Sequence, residues 1–108
     1  MKRMRIGNRL IGDGCPVFII AELSANHLQD FSLAVKTVKA MKQITGVLVG
    51  FQTYTPDTIT LDSKRSCFRI GGGSLWKGKT LYQLYRQAYT PWAWLPKLKA
   101  LARELGLV

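Results

Sequence analysis

The chain has 108 residues, 47% of them apolar, and its 16 Lys and Arg against 6 Asp and Glu give a formal charge of +10. This length and apolar share fit one folded domain and exclude a disordered chain. The longest uninterrupted apolar run, residues 16–21, falls well short of the roughly 20 residues a membrane-spanning helix needs.

At the N-terminus, Met1-Lys2-Arg3-Met4-Arg5 is basic. Arg9, Asp13 and Glu22 interrupt the next stretch, and there is no apolar segment ending in a small-residue cleavage site. Secretion is therefore not expected, and a cytoplasmic location is. Cys15 and Cys67 have neither a Cys-x-x-Cys nor a metal-ligand spacing, so free thiols are expected. The positive residues recur at 36, 39, 42, 64, 65, 69, 77, 79, 86, 97, 99 and 103 with no dense run. They read as solvated helix faces. An excess of cations also suits an anionic substrate or nucleic acid.

After the turn-like Gly12-Asp13-Gly14, residues 17–21 are β-branched and aromatic and predict a buried strand. Asp30 or Ser32 then offers an N-cap. Phe31, Ala34, Val35, Val38 and Met41 come next at helical spacing, with Lys36, Lys39 and Lys42 on the other side. Gly46 is expected to break this helix, and residues 47–51 predict a second buried strand. Strand, helix and strand in about 35 residues make the βαβ unit of a parallel sheet.

A long irregular connection is expected from Thr53 to about Thr80, through Pro56 and Gly71-Gly72-Gly73. The glycine run comes after no strand and opens no helix, so it is a poor phosphate cradle. Leu81, Leu84, Tyr85 and Ala88 predict a short helix. Thr90-Pro91 reads as an N-cap and first turn over residues 91–94. Pro96 confines the main helix to a start near Leu95, since proline deep in a helix breaks a hydrogen bond. Its buried stripe is Leu95, Leu98, Leu101, Ala102 and Leu105, and Gly106 closes it. Leu107-Val108 stands where a third strand is expected to start. Glu22 and Gln52 fall at, or just past, the C-terminal ends of the two predicted strands, the rim at which barrel enzymes build active sites. Glu22 fits proton exchange with a carbonyl there, and equally a helix cap or an ion pair with a lysine.

Two sets of residues carry a family resemblance. Ala21-Glu22-Leu23-Ser24-Ala25-Asn26-His27 and Phe51-Gln52-Thr53-Tyr54-Thr55-Pro56 form one; Ser74-Leu75-Trp76-Lys77-Gly78 and Tyr89-Thr90-Pro91-Trp92 form the other. With them the chain resembles the sialic-acid-synthase family, and the second set resembles its pseudaminic acid synthase branch in particular. The N-acetylneuraminate synthases are the neighbouring alternative, and a small basic nucleic-acid-binding module is the alternative outside the family.

The resemblance implies an α/β fold, a partial TIM (β/α)₈ barrel with its first two βα units only, residues 1–108 being a truncated N-terminal part of the barrel domain. It implies condensation of phosphoenolpyruvate with a 2,4-diacetamido-2,4,6-trideoxy hexose to a nonulosonic acid, a divalent metal (Mn or Mg) in the intact enzyme, and a homodimer. Such a short chain is expected to be inactive alone and to bind no metal. By the same resemblance Glu22 is catalytic, and Asn26, Gln52, Thr53 and Tyr54 bind substrate. The family commonly has a phosphate-contacting lysine where this chain has Gly50, and a Gly-Ala-Asp turn near Gln43-Ile44-Thr45. A lost charged hydrogen bond costs ~1.5–3 kcal/mol. The aromatic rings are expected mainly to pack the long connection onto the barrel rim.

Overall fold

A computed structural model describes residues 2–44 and 47–108, so Gly46 and its expected helix-breaking role, like Thr45, lie outside the described residues. The basic N-terminal stretch folds as a hairpin. β1 (Met4–Ile6) pairs antiparallel with β2 (Arg9–Ile11), placing Met4 opposite Ile11 and Ile6 opposite Arg9. Gly7 begins the two-residue turn at φ +55°, which glycine adopts without a Cβ clash. The expected turn at Gly12-Asp13-Gly14 comes next, with the Cys15 N–H donating to the Gly12 carbonyl at 3.0 Å.

The first core strand is β3 (Ile19–Leu23), two residues later than the expected 17–21. Its parallel partner β4 (Val47–Phe51) starts pairing at Ile19↔Val47 and ends at Leu23↔Phe51, so Val17 and Phe18 lie ahead of the ladder. Between the two strands runs α1 (Phe31–Met41). Asp30 is its cap: Oδ1 accepts from the Ser32 and Leu33 backbone N–H groups at 2.8 and 3.3 Å. That carboxyl is held below the ordinary aspartate range, first by the Ser32 hydroxyl and then by these amides. Ser32 itself is inside the helix. Ala34, Val38 and Met41 are buried, and Lys36 and Lys39 are exposed, as the spacing predicts.

The connection after β4 is less irregular than expected. It holds α2 (Pro56–Ile59), a 3₁₀ turn at Ser66–Phe68 and a bridge between Arg69 and Thr80. Then α3 (Leu81–Ala88) begins with a reciprocal cap. The Thr80 hydroxyl accepts from the Gln83 amide at 3.2 Å, and the Gln83 side chain accepts from the Thr80 amide at 2.9 Å. A 3₁₀ turn at Trp92–Trp94 leads into α4 (Leu95–Glu104), where Pro96 is tolerated in the first turn. The helix closes as expected at Gly106, φ +70°. The Gly106 N–H reaches the Arg103 carbonyl and the Leu107 N–H reaches the Ala102 carbonyl, both at 2.9 Å, which satisfies two orphan acceptors.

Leu23, Ala34, Val38, Met41, Val49 and Leu98 make the core, with α1 and α4 packed on one face of the β3–β4 pair. The strands are not buried on both faces as their apolar runs suggest. Ile20 stays 54% exposed, because the helices cover one side only, and Ile19 is 49% exposed at the first position of the ladder. The Val49 N–H donates to the Val108 carbonyl at 2.9 Å, so the chain returns from α4 to the far edge of β4. The radius of gyration is 17.2 Å. A self-contained domain of this length measures about 13 Å, so the core is small for the surface it supports. Every Lys and Arg is exposed except the half-buried Lys79, in keeping with solvated charge. No helix among the described residues is long and apolar enough to cross a membrane.

Candidate functional site

A parallel pair sends both strand C-termini to the same end, and the ladder register decides which side chains share a face there. Glu22 lies opposite Gly50, one residue before the end of β3 rather than past it. Strand alternation turns Ala21 and Leu23 toward the helices and leaves Ile20 and Glu22 on the uncovered face. Gly50 continues that face in β4. A Cβ built there would stand 3.3 Å from Glu22 Cγ and 3.6 Å from its Oε1, so a side chain at this position would press on the flexible glutamate by a few tenths of an ångström, and glycine leaves it unpressed.

Gln52 comes two residues after Gly50 and so returns to the same face. Its Nε2 donates to Glu22 Oε2 at 3.3 Å, and its backbone N–H donates to the Leu23 carbonyl at 3.3 Å. The result is an exposed carboxylate steadied by an amide at the strand ends. This arrangement can orient a carbonyl and exchange a proton with it.

The remaining expected site residues do not join this pair. Thr53 falls on the other side of the strand. It lines a cavity of ≈ 520 Å³ with Val49, Phe51, Leu95 and Ala102. Tyr54 is half-buried and rests edge-on against Tyr85, with ring centroids 5.5 Å apart. Burial, and then the neighbouring Tyr85, push its hydroxyl above the ordinary tyrosine range. Asn26 is exposed on the loop after β3 and makes no hydrogen bond to Glu22 or Gln52. Among the described residues no group of three His, Cys, Asp or Glu side chains is placed to hold a metal ion.

His27, the single histidine, is fully buried, which its loop position does not suggest. Its Nδ1 accepts from the Gln29 backbone N–H at 3.1 Å, and its Nε2 lies 2.7 Å from the Thr90 hydroxyl. An accepting Nδ1 assigns the proton to Nε2, which donates to Thr90. Burial lowers the imidazole's proton affinity, in keeping with this neutral form. The ring meets the edge of Trp94 at 5.2 Å, and Trp94 meets Phe31 at 5.3 Å. Thr90 is thus a buried partner of His27; the cap position before the 3₁₀ turn belongs to Pro91. Thr-Pro reads locally as a cap, and nothing in the local sequence signals a bond across 63 residues.

The aromatic rings divide their work. Trp94 packs inward, and Tyr54–Tyr85 and Tyr82–Asp57 tie the start of the connection to α3, the Tyr82 hydroxyl donating to Asp57 at 3.0 Å. Trp76 carries Lys79 over its ring at 4.8 Å, and Trp92 is exposed.

The chain is similar to the pseudaminic acid synthase of Campylobacter jejuni, with 43% identity over 105 residues, covering 97% of this chain and 30% of that protein. It is 48% identical over 92 residues to the pseudaminic acid synthase of Helicobacter pylori, covering 85% of this chain and 27% of that one. It thus spans under a third of the length of these curated relatives. Among solved structures, the spore coat polysaccharide biosynthesis protein SpsE of Bacillus subtilis superposes with a TM-score of 0.65 at 22% identity, over 99% of this chain and 26% of that chain. This likeness shows a shared α/β fold. The NeuB family model matches residues 32–108, most of the chain, and the chain belongs to the NeuB family.

Proposed function

We propose that residues 1–108 are the N-terminal part, the first two βα units, of a (β/α)₈-barrel synthase. The reaction joins phosphoenolpyruvate to a 2,4-diacetamido-2,4,6-trideoxy hexose, giving a nonulosonic acid. The observation that carries this reading is the Glu22–Gln52 hydrogen bond at the C-terminal end of the parallel pair, with Gly50 leaving room beside it. Barrel enzymes place their chemistry at that end. Similarity to two pseudaminic acid synthases supports the product class.

In this reading the methylene carbon of phosphoenolpyruvate bonds to the sugar's aldehyde carbon. Water then adds to the former enol carbon, and phosphate leaves. Glu22 is the catalytic group, which orients the aldehyde or exchanges the proton its oxygen needs. Gln52 fixes that carboxylate and binds substrate; Asn26, Thr53 and Tyr54, which lie away from this pair, are assigned to substrate on the family resemblance. The divalent metal expected of the family does not fit the described residues, which offer no cluster of donors, and no step here runs through it. The free thiols Cys15 and Cys67 suit a reducing, cytoplasmic setting.

The test measures phosphate release from phosphoenolpyruvate with the amino sugar and manganese present. It compares the 108 residues alone with the same residues joined to the remaining segment of a relative. Turnover is expected of the joined form and not of the 108 residues alone. A joined form that releases no phosphate while folded and dimeric would overturn the reading.

A further inference from the structure

Two consecutive residues in the loop after β3, Leu28 and Gln29, adopt left-handed backbone conformations at φ +50° and +54°. Neither is glycine, and Leu28 is 78% exposed, so its own packing does not hold it there. Side chains forced into this region persist only where surrounding contacts over-determine them. Those contacts come from His27, Gln29, the last turn of α3 and the segment after it. The Gln29 amide donates to His27 Nδ1, and the Asp30 amide donates to the His27 carbonyl at 2.8 Å. The Gln29 side chain donates to the Tyr89 carbonyl at 3.0 Å and reaches the Arg86 carbonyl at 3.4 Å. His27 Nε2 closes the set on Thr90, and both of these side chains are buried.

We propose that His27, Gln29 and Thr90 form a positioning latch that fixes the loop after β3 against the start of the 91–94 turn, and so sets where Asn26 is presented at the strand ends. The role given to Asn26 rests on the proposed function; the latch itself rests on the geometry alone. None of the three is a catalytic residue. They act through the loop they hold, and the neutral imidazole is what lets one ring accept from Gln29 and donate to Thr90 at once.

The test uses the 108-residue chain, with Thr90→Val removing the hydroxyl at nearly constant volume and Thr90→Ser restoring it. Hydrogen exchange and amide shifts of residues 25–29 are measured, together with the imidazole nitrogen shifts of His27. Thr90→Val is expected to speed exchange of the Gln29 amide about tenfold, the scale of one lost hydrogen bond, and to mix the imidazole tautomers. Thr90→Ser is expected to keep the wild-type pattern. Unchanged exchange in Thr90→Val, or a Thr90→Ser that behaves like it, overturns the latch. If Thr90→Val does not fold, Gln29→Met cuts the strap to Tyr89 and carries the same comparison.

A second arm titrates the amino sugar into the form joined to the remaining segment of a relative and monitors the Asn26 side-chain amide, whose response is expected in the wild type and to weaken in Thr90→Val. No response in a wild type with an intact latch overturns the substrate role of Asn26 and leaves the latch judged by exchange alone.

Discussion

The two faces of the β3–β4 pair are built from alternate residues of the same two strands, yet they have opposite characters. Ala21, Leu23, Val49 and Phe51 turn toward α1 and α4 and make part of the core. Ile20, Glu22 and Gly50, continued by Gln52, form a face that no helix covers, ending in a carboxylate–amide hydrogen bond. One face is specified by volume; the other, in the proposed function, by chemistry. Substitutions on the first should be felt in folding; on the second, in what the strands can bind or transform.

The largest expected effect tests the chemical face. In a form joined to the rest of a relative, Glu22→Gln keeps volume and should lower turnover roughly 10²–10⁴-fold, with stability moving by only about 0.5 kcal/mol. Normal turnover with a lowered melting temperature would instead make Glu22 a structural group. The covered face should show the reverse. Leu23 is fully buried, and Leu23→Ala should cost about 2–5 kcal/mol in urea unfolding, through lost contacts and the cavity left behind. A loss below about 1 kcal/mol, on the scale of an exposed site, would mean that the core closes over the gap.

Gly50→Lys asks whether the open face takes a cation beside Glu22. The new Cβ's tight contact is the flexible Glu22 side chain at 3.3 Å, and Ile20 Cγ2 at 3.7 Å is in ordinary contact, so folding should survive. Phosphoenolpyruvate binding in the joined form should tighten by ~1–3 kcal/mol, the worth of a charged hydrogen bond. An unchanged Michaelis constant would count against this strand as a phosphate contact.

The histidine gives a pH test of the loop beyond the covered face. Burial lowers the His27 pKa below its ordinary 6.5, so the unfolded chain binds this proton more readily than the folded one. Its contribution is full above the unfolded value and is lost as pH falls from about 6.5 toward the lowered folded value, with a slope of at most about 1.4 kcal/mol per pH unit. His27→Gln should flatten that part of the curve; an unchanged slope would remove His27 as its source. The smallest effect is expected on the open face away from Glu22. Ile20→Ser, at a half-exposed site, should shift the unfolding free energy by no more than about 0.5 kcal/mol. A larger loss would show that this face is covered in solution.

Much of the fold was legible from local pattern. The helical spacing of Phe31, Ala34, Val38 and Met41, the glycine at 106 and the limit Pro96 places on α4 each act within one or two turns. So did the placing of Glu22 and Gln52 near the strand ends, although Glu22 proved to sit within β3. Local pattern failed where a partner distant in sequence decides. The start of β3 depends on where β4 begins to pair, and Thr90 looks like a cap until His27 arrives. Thr53 and Tyr54 adjoin Gln52 in sequence, but strand alternation sends Thr53 to the other face and Tyr85 engages Tyr54.

By itself the sequence determined the two core strands to within about two residues, the three longer helices and where they start and stop, and the residues by which the chain resembles its family. These features arise from spacing, caps and glycine, whose energies act over a few residues. Only the tertiary structure decided that one sheet face stays open, that Gly50 makes room for Glu22, and that a buried, neutral His27 holds a left-handed loop. Those outcomes depend on register and on contacts between segments tens of residues apart, where each group's environment is created by the fold that brings its partner to it.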